Sequence, residues 1–218
     1  VVAVSYQAVM TRVMEAALAS GRAADAIRVV AVSKGRPLDE ILALHRVGVR
    51  DFGENRAQEL AQKAPLCPDD IRWHFIGPLQ SNKVRIVRPV ASMLHSLDRL
   101  ELATAWMKGQ GNPPPVLLEV NVALEPQKHG VAPGEVMATL ERLVALDVPV
   151  RGLMAIPPVV ERPEEARPFF ARLRGLRDEA AARWPVVCEL SMGMSDDFEV
   201  AVAEGATLIR IGRAIFED

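Results

Sequence analysis

The chain has 218 residues, half of them apolar and a quarter charged, the balance of a globular protein able to bury a sizeable core. Its net charge of −2 is not broken by any basic block, which argues against nucleic acid or an anionic membrane surface as a partner. No apolar run approaches the length of a membrane span, and no basic-then-apolar leader opens the chain, so a cytoplasmic location is expected. Cys67 and Cys188 lie far apart without metal-ligand spacing, in keeping with a reducing compartment and no metal site. Val1 stands where an initiator methionine would, so a trimmed N-terminus is expected.

In chain order, apolar periodicity predicts a leading helix over 5–19, with Val9, Val13, Met14 and Ala17 on one face. Val29-Val30-Ala31-Val32 then reads as a strand apolar on both faces, stopped by Ser33-Lys34-Gly35-Arg36-Pro37. From there strands and helices alternate. A helix from Leu38 is opened by Pro37 and ended by Gly48. A short strand over 49–53 precedes a helix over 55–63, and a strand over 72–76 precedes a short helix near 80–87. The strand 91–95 leads to a helix over 98–108, for which Asp98 and Glu101 are spaced as a capping pair. Pro113-Pro114-Pro115 introduces the strand 116–122, followed by a helix over 134–146 and the strand 150–154. A helix beginning at Pro163 carries Ala166, Phe169, Phe170, Leu173 and Leu176 on one face, and its acidic first turn suits the helix dipole. The strand 186–190, a short helix over 196–204 and the strand 207–211 complete the series.

Eight strands alternating with helices, without a linker or low-complexity break, predict an α/β fold with a parallel sheet. The count and length point to a single (β/α)8 TIM barrel spanning 1–218 with an extra N-terminal helix. A doubly wound open sheet is the alternative, but the glycine-rich fingerprint after the first strand is missing. In a barrel, function gathers at the C-terminal ends of the strands. Those positions hold Lys34, Glu54, Asn55, His74, Asn121, Ser191, Ser195 and Arg210. For most of them, His74 included, the simpler reading is a satisfied polar residue that holds a loop or strand.

Three features go further. Lys34 follows a buried strand, where partial desolvation would favour a nucleophilic amine. The segment Ser191-Met192-Gly193-Met194-Ser195 sets hydroxyls and a glycine just ahead of a helix, as a phosphate requires. Arg210 interrupts the apolar strand Leu208-Ile209-Arg210-Ile211, and a buried guanidinium needs a carboxylate, phosphate or aromatic nitrogen as partner. An aldehyde-reactive lysine at one end of a cleft and a phosphate at the other describe pyridoxal 5′-phosphate (PLP).

Several ordered segments carry a family resemblance. They are Val30-Ala31-Val32-Ser33-Lys34, Phe52-Gly53-Glu54-Asn55, Trp73 to Gly77 with Leu79 to Lys83, His95-Ser96-Leu97-Asp98, Gly152-Leu153-Met154, Leu190 to Ser195, and Arg210-Ile211-Gly212. From about residue 28 to 216 the chain resembles the YggS/PROSC family of PLP homeostasis proteins. That resemblance implies a single barrel like the N-terminal domain of alanine racemase, monomeric, with apo PLP-dependent enzymes as candidate partners. It implies that Lys34 forms a Schiff base with PLP and that Asn55 lies beside the cofactor. Ser191 with the backbone amides of Gly212 and Arg213 would hold the phosphate, and Arg210 would face the pyridine nitrogen. Arg36, Arg56, Pro78 and Arg213 depart from the family's usual residues, and Arg213 replaces a threonine that often supplies a phosphate hydroxyl. The rival reading is an amino-acid racemase of the same barrel type. It needs a second acid/base, yet the one tyrosine, Tyr6, lies in the leading helix and no second domain is expected. A PLP holder without substrate turnover is therefore the expected function. An unrelated sugar-phosphate barrel enzyme using Lys34 is the fallback if PLP is not bound.

Overall fold

Eight strands pair side by side in sequence order, all parallel, and the last closes onto the first. They are Arg28–Val32 (β1), Asp51–Glu54 (β2), Arg72–Phe75 (β3), Ala91–Leu97 (β4), Val116–Glu119 (β5), Val150–Met154 (β6), Glu189–Ser191 (β7) and Leu208–Ile211 (β8). The computed structural model describes residues 1–217; Asp218, the last residue of the expected domain, lies outside the described residues. The helices between strands are Leu38–Arg46 (α2), Ala57–Lys63 (α3), Val84–Val87 (α4), Leu100–Met107 (α5), Val136–Ala145 (α6), Arg167–Arg183 (α7) and Phe198–Ala203 (α8). The leading helix, Val2–Ala19 (α1), packs on α2, on α8 and on a short final helix, Arg213–Phe216 (α9).

Side chains on a strand alternate between the two faces, and here the faces have different chemistry. Outward residues such as Ala31, Phe52, Trp73, Phe75, Leu94, Leu118, Leu153 and Ile209 join the helices in one continuous core. Inward, Val30, Met93, Leu117, Met154 and Leu208 form a separate apolar layer. The inward positions next to that layer are polar and buried: His74, His95, Glu119, Ser191 and Arg210. The barrel interior thus holds an apolar layer beside a set of buried polar groups.

The predicted elements are all present, with shifted ends. Strand β7 begins at Glu189 rather than 186, because the preceding residues form a turn in which the Val187 N–H bonds the Trp184 carbonyl. The expected capping pair is not formed: Arg99 is the N-cap of α5, and Asp98 instead pairs with Arg99 and His129. Helix α9 has no counterpart among the predicted elements. No helix is long and apolar enough to cross a membrane among the described residues.

Closure depends on close backbone approach between β6 and β7. A Cβ placed on Gly152 would lie 2.0 Å from the Glu189 carbonyl oxygen, which is backbone and cannot swing aside. Gly152→Ala is therefore expected to destabilise the fold by about 3 kcal/mol, as overpacking against fixed atoms does. Urea unfolding of the two proteins measures it; equal midpoints would contradict this reading.

Candidate functional site

At the C-terminal mouth of the barrel lies a cavity of about 470 Å³, within the usual size of small-molecule sites. Its wall includes Lys34, Asn55, Ser195, Arg210, Gly212 and Arg213, contributed by the segments after β1, β2, β7 and β8 and by β8 itself. A wider groove of about 1000 Å³ adjoins it and shares Asn55 and Pro78, but neither Lys34 nor Arg210 lines it. The chemistry therefore sits in the smaller cavity. Of the expected site residues, the cavity unites Lys34, Asn55, Arg210, Gly212 and Arg213, while Ser191 stands outside its wall.

Lys34 is exposed at the cavity rim, so the expected desolvation of its amine is not seen. Its backbone, by contrast, is held from several sides. The Ser33 hydroxyl donates to Glu54 Oε1 at 2.7 Å, and the Gly35 N–H donates to Glu59 Oε1 at 2.5 Å. Lys63 Nζ donates to the Ser33 carbonyl (2.6 Å), to Glu54 Oε1 (2.8 Å) and to Glu59 Oε1 (2.7 Å). Gly35 adopts a left-handed φ of +69°, which lets the chain turn within one residue of Lys34. The amine is free to reach into the cavity from a fixed turn.

Arg210 is 4% exposed and makes no ion pair among the described residues. Nη1 donates to Ser191 Oγ at 2.5 Å and Nη2 to the Ala155 carbonyl at 3.0 Å. Burial pushes the guanidinium down to about 10, with Glu119 and Asp197 opposing at a distance, so the group keeps its charge at neutral pH. A buried cation without a paired carboxylate is costly, and the cavity side is where a ligand can compensate it. Ser191 is fully buried, its hydroxyl engaged by Arg210 and, at 2.8 Å, by His95 Nδ1. Its position in β7 turns the side chain into the barrel, so in this structure Ser191 meets Arg210 and His95 and does not line the cavity.

The hydroxyl that lines the cavity is Ser195, which accepts the Ala214 N–H at 3.2 Å. Gly193 brings this segment close: φ is +93°, and a Cβ there would lie 2.5 Å from Ala201 Cβ. The N–H groups of Ser195, Asp196 and Arg213 have no protein acceptor among the described residues. They point to an anion cradle between the segments after β7 and β8. The Arg213 guanidinium is ion-paired with Asp196 on the exposed rim.

Asn55 places a buried Oδ1 without a hydrogen-bond partner among the described residues beside this cavity. Its position is set by Gly77, where a Cβ would lie 2.4 Å from the Asn55 carbonyl oxygen. Asn121, also at a strand end, caps its own loop instead, through hydrogen bonds to both backbone groups of Glu125. Sequence reasoning set Ser195 behind Ser191 and passed over Glu119 and His95. Glu119 did carry a signal, a carboxylate closing the apolar run Val116-Leu117-Leu118. Tyr6, in α1 on the outside of the barrel, does not line the cavity. Cys67 and Cys188 are both free thiols, and neither lines the cavity.

Burial pushes the Glu119 carboxyl up to about 7; Asp98 adds to this and Arg210 opposes it. Below the ordinary glutamate value both folded and unfolded chains hold this proton. As pH rises toward 7, the unfolded chain releases it first, and the stability it contributes is lost. Wild type should therefore lose about 3 kcal/mol relative to Glu119→Gln between roughly pH 4.5 and 8. Parallel stability profiles in denaturant would show that Glu119 ionises normally.

Comparisons with known proteins show the family. Residues 10–218 match the family described as "Alanine racemase, N-terminal domain". A protein of Aquifex aeolicus named pyridoxal phosphate homeostasis protein is 42% identical over 214 residues, covering 95% of this chain and 94% of that one. A protein of the same name from Pseudomonas aeruginosa is 44% identical, covering 95% and 91%. The structure of PipY from Synechococcus elongatus with PLP bound superposes with a TM-score of 0.79 at 36% identity, covering 94% of this chain and 99% of that one. Alanine racemase of Corynebacterium glutamicum, 13% identical with a TM-score of 0.69, shares the fold, and the match spans 61% of that chain. The chain belongs to the YggS/PROSC family of pyridoxal phosphate homeostasis proteins, built on the alanine racemase N-terminal-domain fold.

Proposed function

We propose that this protein binds pyridoxal 5′-phosphate covalently through Lys34 and serves intracellular vitamin B6 homeostasis, holding the cofactor without turning over a substrate. The observation that carries the reading is Arg210, a buried cation without a carboxylate partner, in the same cavity wall as the Lys34 amine. The residues present fit the group. Lys34 offers a primary amine for the aldehyde, and the orphaned Asn55 Oδ1 offers a polar contact inside the cavity. The free amides of Ser195, Asp196 and Arg213, with Gly212 beside them, suit the phosphate. Arg210 suits the pyridine nitrogen.

When bound, PLP supplies an electron sink whose strength depends on protonation of that nitrogen. A guanidinium charged at neutral pH donates hydrogen bonds and takes no proton, so Arg210 keeps the nitrogen unprotonated and weakens the sink. The side chains around the cavity also lack what a two-base racemase needs. Neither Tyr6 nor a cysteine lines its wall. Binding and release are what remain for such a site. The exposed position of Lys34 supports release, since water and an incoming amine can reach it.

The finer reading is of one barrel domain over the chain, acting as a cytoplasmic monomer. Apo PLP-dependent enzymes are the class of protein that would receive the cofactor. The opposed charges on the rim, with Arg213 paired to Asp196 and Arg36 to Glu217, leave a polar surface around the cavity mouth that suits a transient encounter.

Two measurements test the function. Borohydride reduction of the PLP-loaded protein should leave a pyridoxyl group on the peptide containing Lys34, and Lys34→Ala should abolish it; an undiminished adduct in the variant would refute the assignment. Deuterium exchange at the α-carbon of alanine or serine should stay far below enzyme rates of about 1 to 1000 per second. Exchange within that range would make the protein a racemase.

A further inference from the structure

Beneath Arg210 runs a buried line of side chains that the cavity itself does not touch. Ser191 Oγ meets His95 Nδ1 at 2.8 Å, and His95 Nε2 meets His74 Nδ1 at 2.9 Å. His74 Nε2 then meets Asp51 Oδ1 at 2.8 Å, and Arg72 Nε donates to that same oxygen at 2.8 Å. The two imidazoles are edge to face, their centroids 5.0 Å apart. Asp51 opens β2 at the floor of the barrel and Arg210 lies near its mouth, so the line crosses the interior from end to end.

Donor and acceptor counting fixes every proton in it. Asp51 is a carboxylate: burial alone would raise it, but hydrogen bonds from Arg72 and His74 carry it well below the usual range. His74 must then donate from Nε2, which leaves its Nδ1 as an acceptor. His95 must donate to that Nδ1 from Nε2, which makes its own Nδ1 an acceptor. The Ser191 hydroxyl must donate there, and its lone pairs face Arg210, which donates to them. Burial lowers both imidazoles below their ordinary value, with Arg28 and Arg210 opposing a charge on His95 and Asp51 partly offsetting burial at His74. Both rings are neutral, and every hydrogen bond runs in one direction, from Arg210 to Asp51.

We propose that Ser191, His95 and His74 form a one-directional relay that positions the Arg210 guanidinium against the cofactor cavity, with His95 as its central positioning residue. The other tautomer of His95 would aim an N–H at the Ser191 oxygen and compete with Arg210 for it. Without His95 the hydroxyl rotates freely, and Arg210 loses a fixed acceptor on its buried side. The proposal rests on the reading of the cavity as a PLP site, and it specifies how the ring-facing charge of that site is held.

Nitrogen-15 NMR of the histidine-labelled, ligand-free protein tests the relay directly, because only four histidines contribute. His74 and His95 should stay neutral and protonated at Nε2 between about pH 7 and 8.5. A His95 protonated at Nδ1, or charged within that window, overturns the relay whether or not PLP binds. For positioning, His95→Leu and Ser191→Ala should each raise the apparent Kd for PLP about tenfold and move the absorption band of the bound cofactor. Ser191→Thr, which keeps the hydroxyl, should restore both. In the ligand-free variants lacking the hydroxyl or the imidazole, the Arg210 Nε–H resonance should broaden. An unchanged resonance, or unchanged affinity and spectrum in folded Ser191→Ala, overturns the positioning role. Wild type that binds no PLP would refute the function proposed above, while the two NMR readouts would still decide the relay.

Discussion

A guanidinium held 4% exposed, without a carboxylate within ion-pair distance among the described residues, is the constraint around which this barrel is arranged. Such a charge would be unstable in an apolar interior. Neutral acceptors meet it on the protein side, Ser191 Oγ and the Ala155 carbonyl, and the cavity remains open on the other. Carboxylates are kept near but apart: Glu119 and Asp197 act on Arg210 over a distance, and burial favours the protonated form of each. The result is a net positive site that can bind a phosphorylated pyridine without first breaking a salt bridge. Pairing Arg210 with a glutamate would have made the empty barrel more comfortable and the loaded one weaker.

The fold serves this arrangement by dividing its faces. The outward strand residues make the continuous core that holds the helices, so stability does not depend on the interior of the barrel alone. The interior can then give up apolar packing for histidines, a serine and an arginine. Glycines supply the space: Gly152 lets β6 and β7 close, Gly77 seats Asn55, and Gly193 draws the Ser195 segment in. Around Lys34 the logic is different. There a charged cluster of Glu54, Glu59 and Lys63 fixes the backbone of the turn, while the reactive side chain stays exposed. A rigid base with a free amine suits a site that must both take up and release an aldehyde.

Much of this was legible in the sequence, for physical reasons. Parallel strands buried on both faces write themselves as short apolar runs, and eight of them alternating with helical periodicity announced the barrel. Lys34 and Arg210 stood out because charge interrupts or ends such a run. Strand ends were less readable, since Val186 and Val187 look like strand residues yet sit in the turn before β7. Between Ser191 and Ser195, composition could not choose: Ser191 is the last residue of β7, with its side chain turned into the barrel, whereas Ser195 lies in the segment after the strand, on the cavity wall. Asp98 suggested a helix cap but found Arg99 and His129 as partners instead. The line from Asp51 to Arg210 was invisible, because its members come from β2, β3, β4, β7 and β8 and meet only when the barrel closes. His74, read from its apolar neighbours as a structural residue, is one, but its task is electrostatic.

The most direct measurement is a crystal structure of the protein loaded with PLP. The predicted result places the pyridine nitrogen within hydrogen-bond distance of the Arg210 guanidinium, the phosphate on the amides of Ser195, Asp196 and Arg213, and Ser191 still beneath the arginine. A ring nitrogen facing away from Arg210, or a phosphate taken up by the Ser191 hydroxyl, would contradict it.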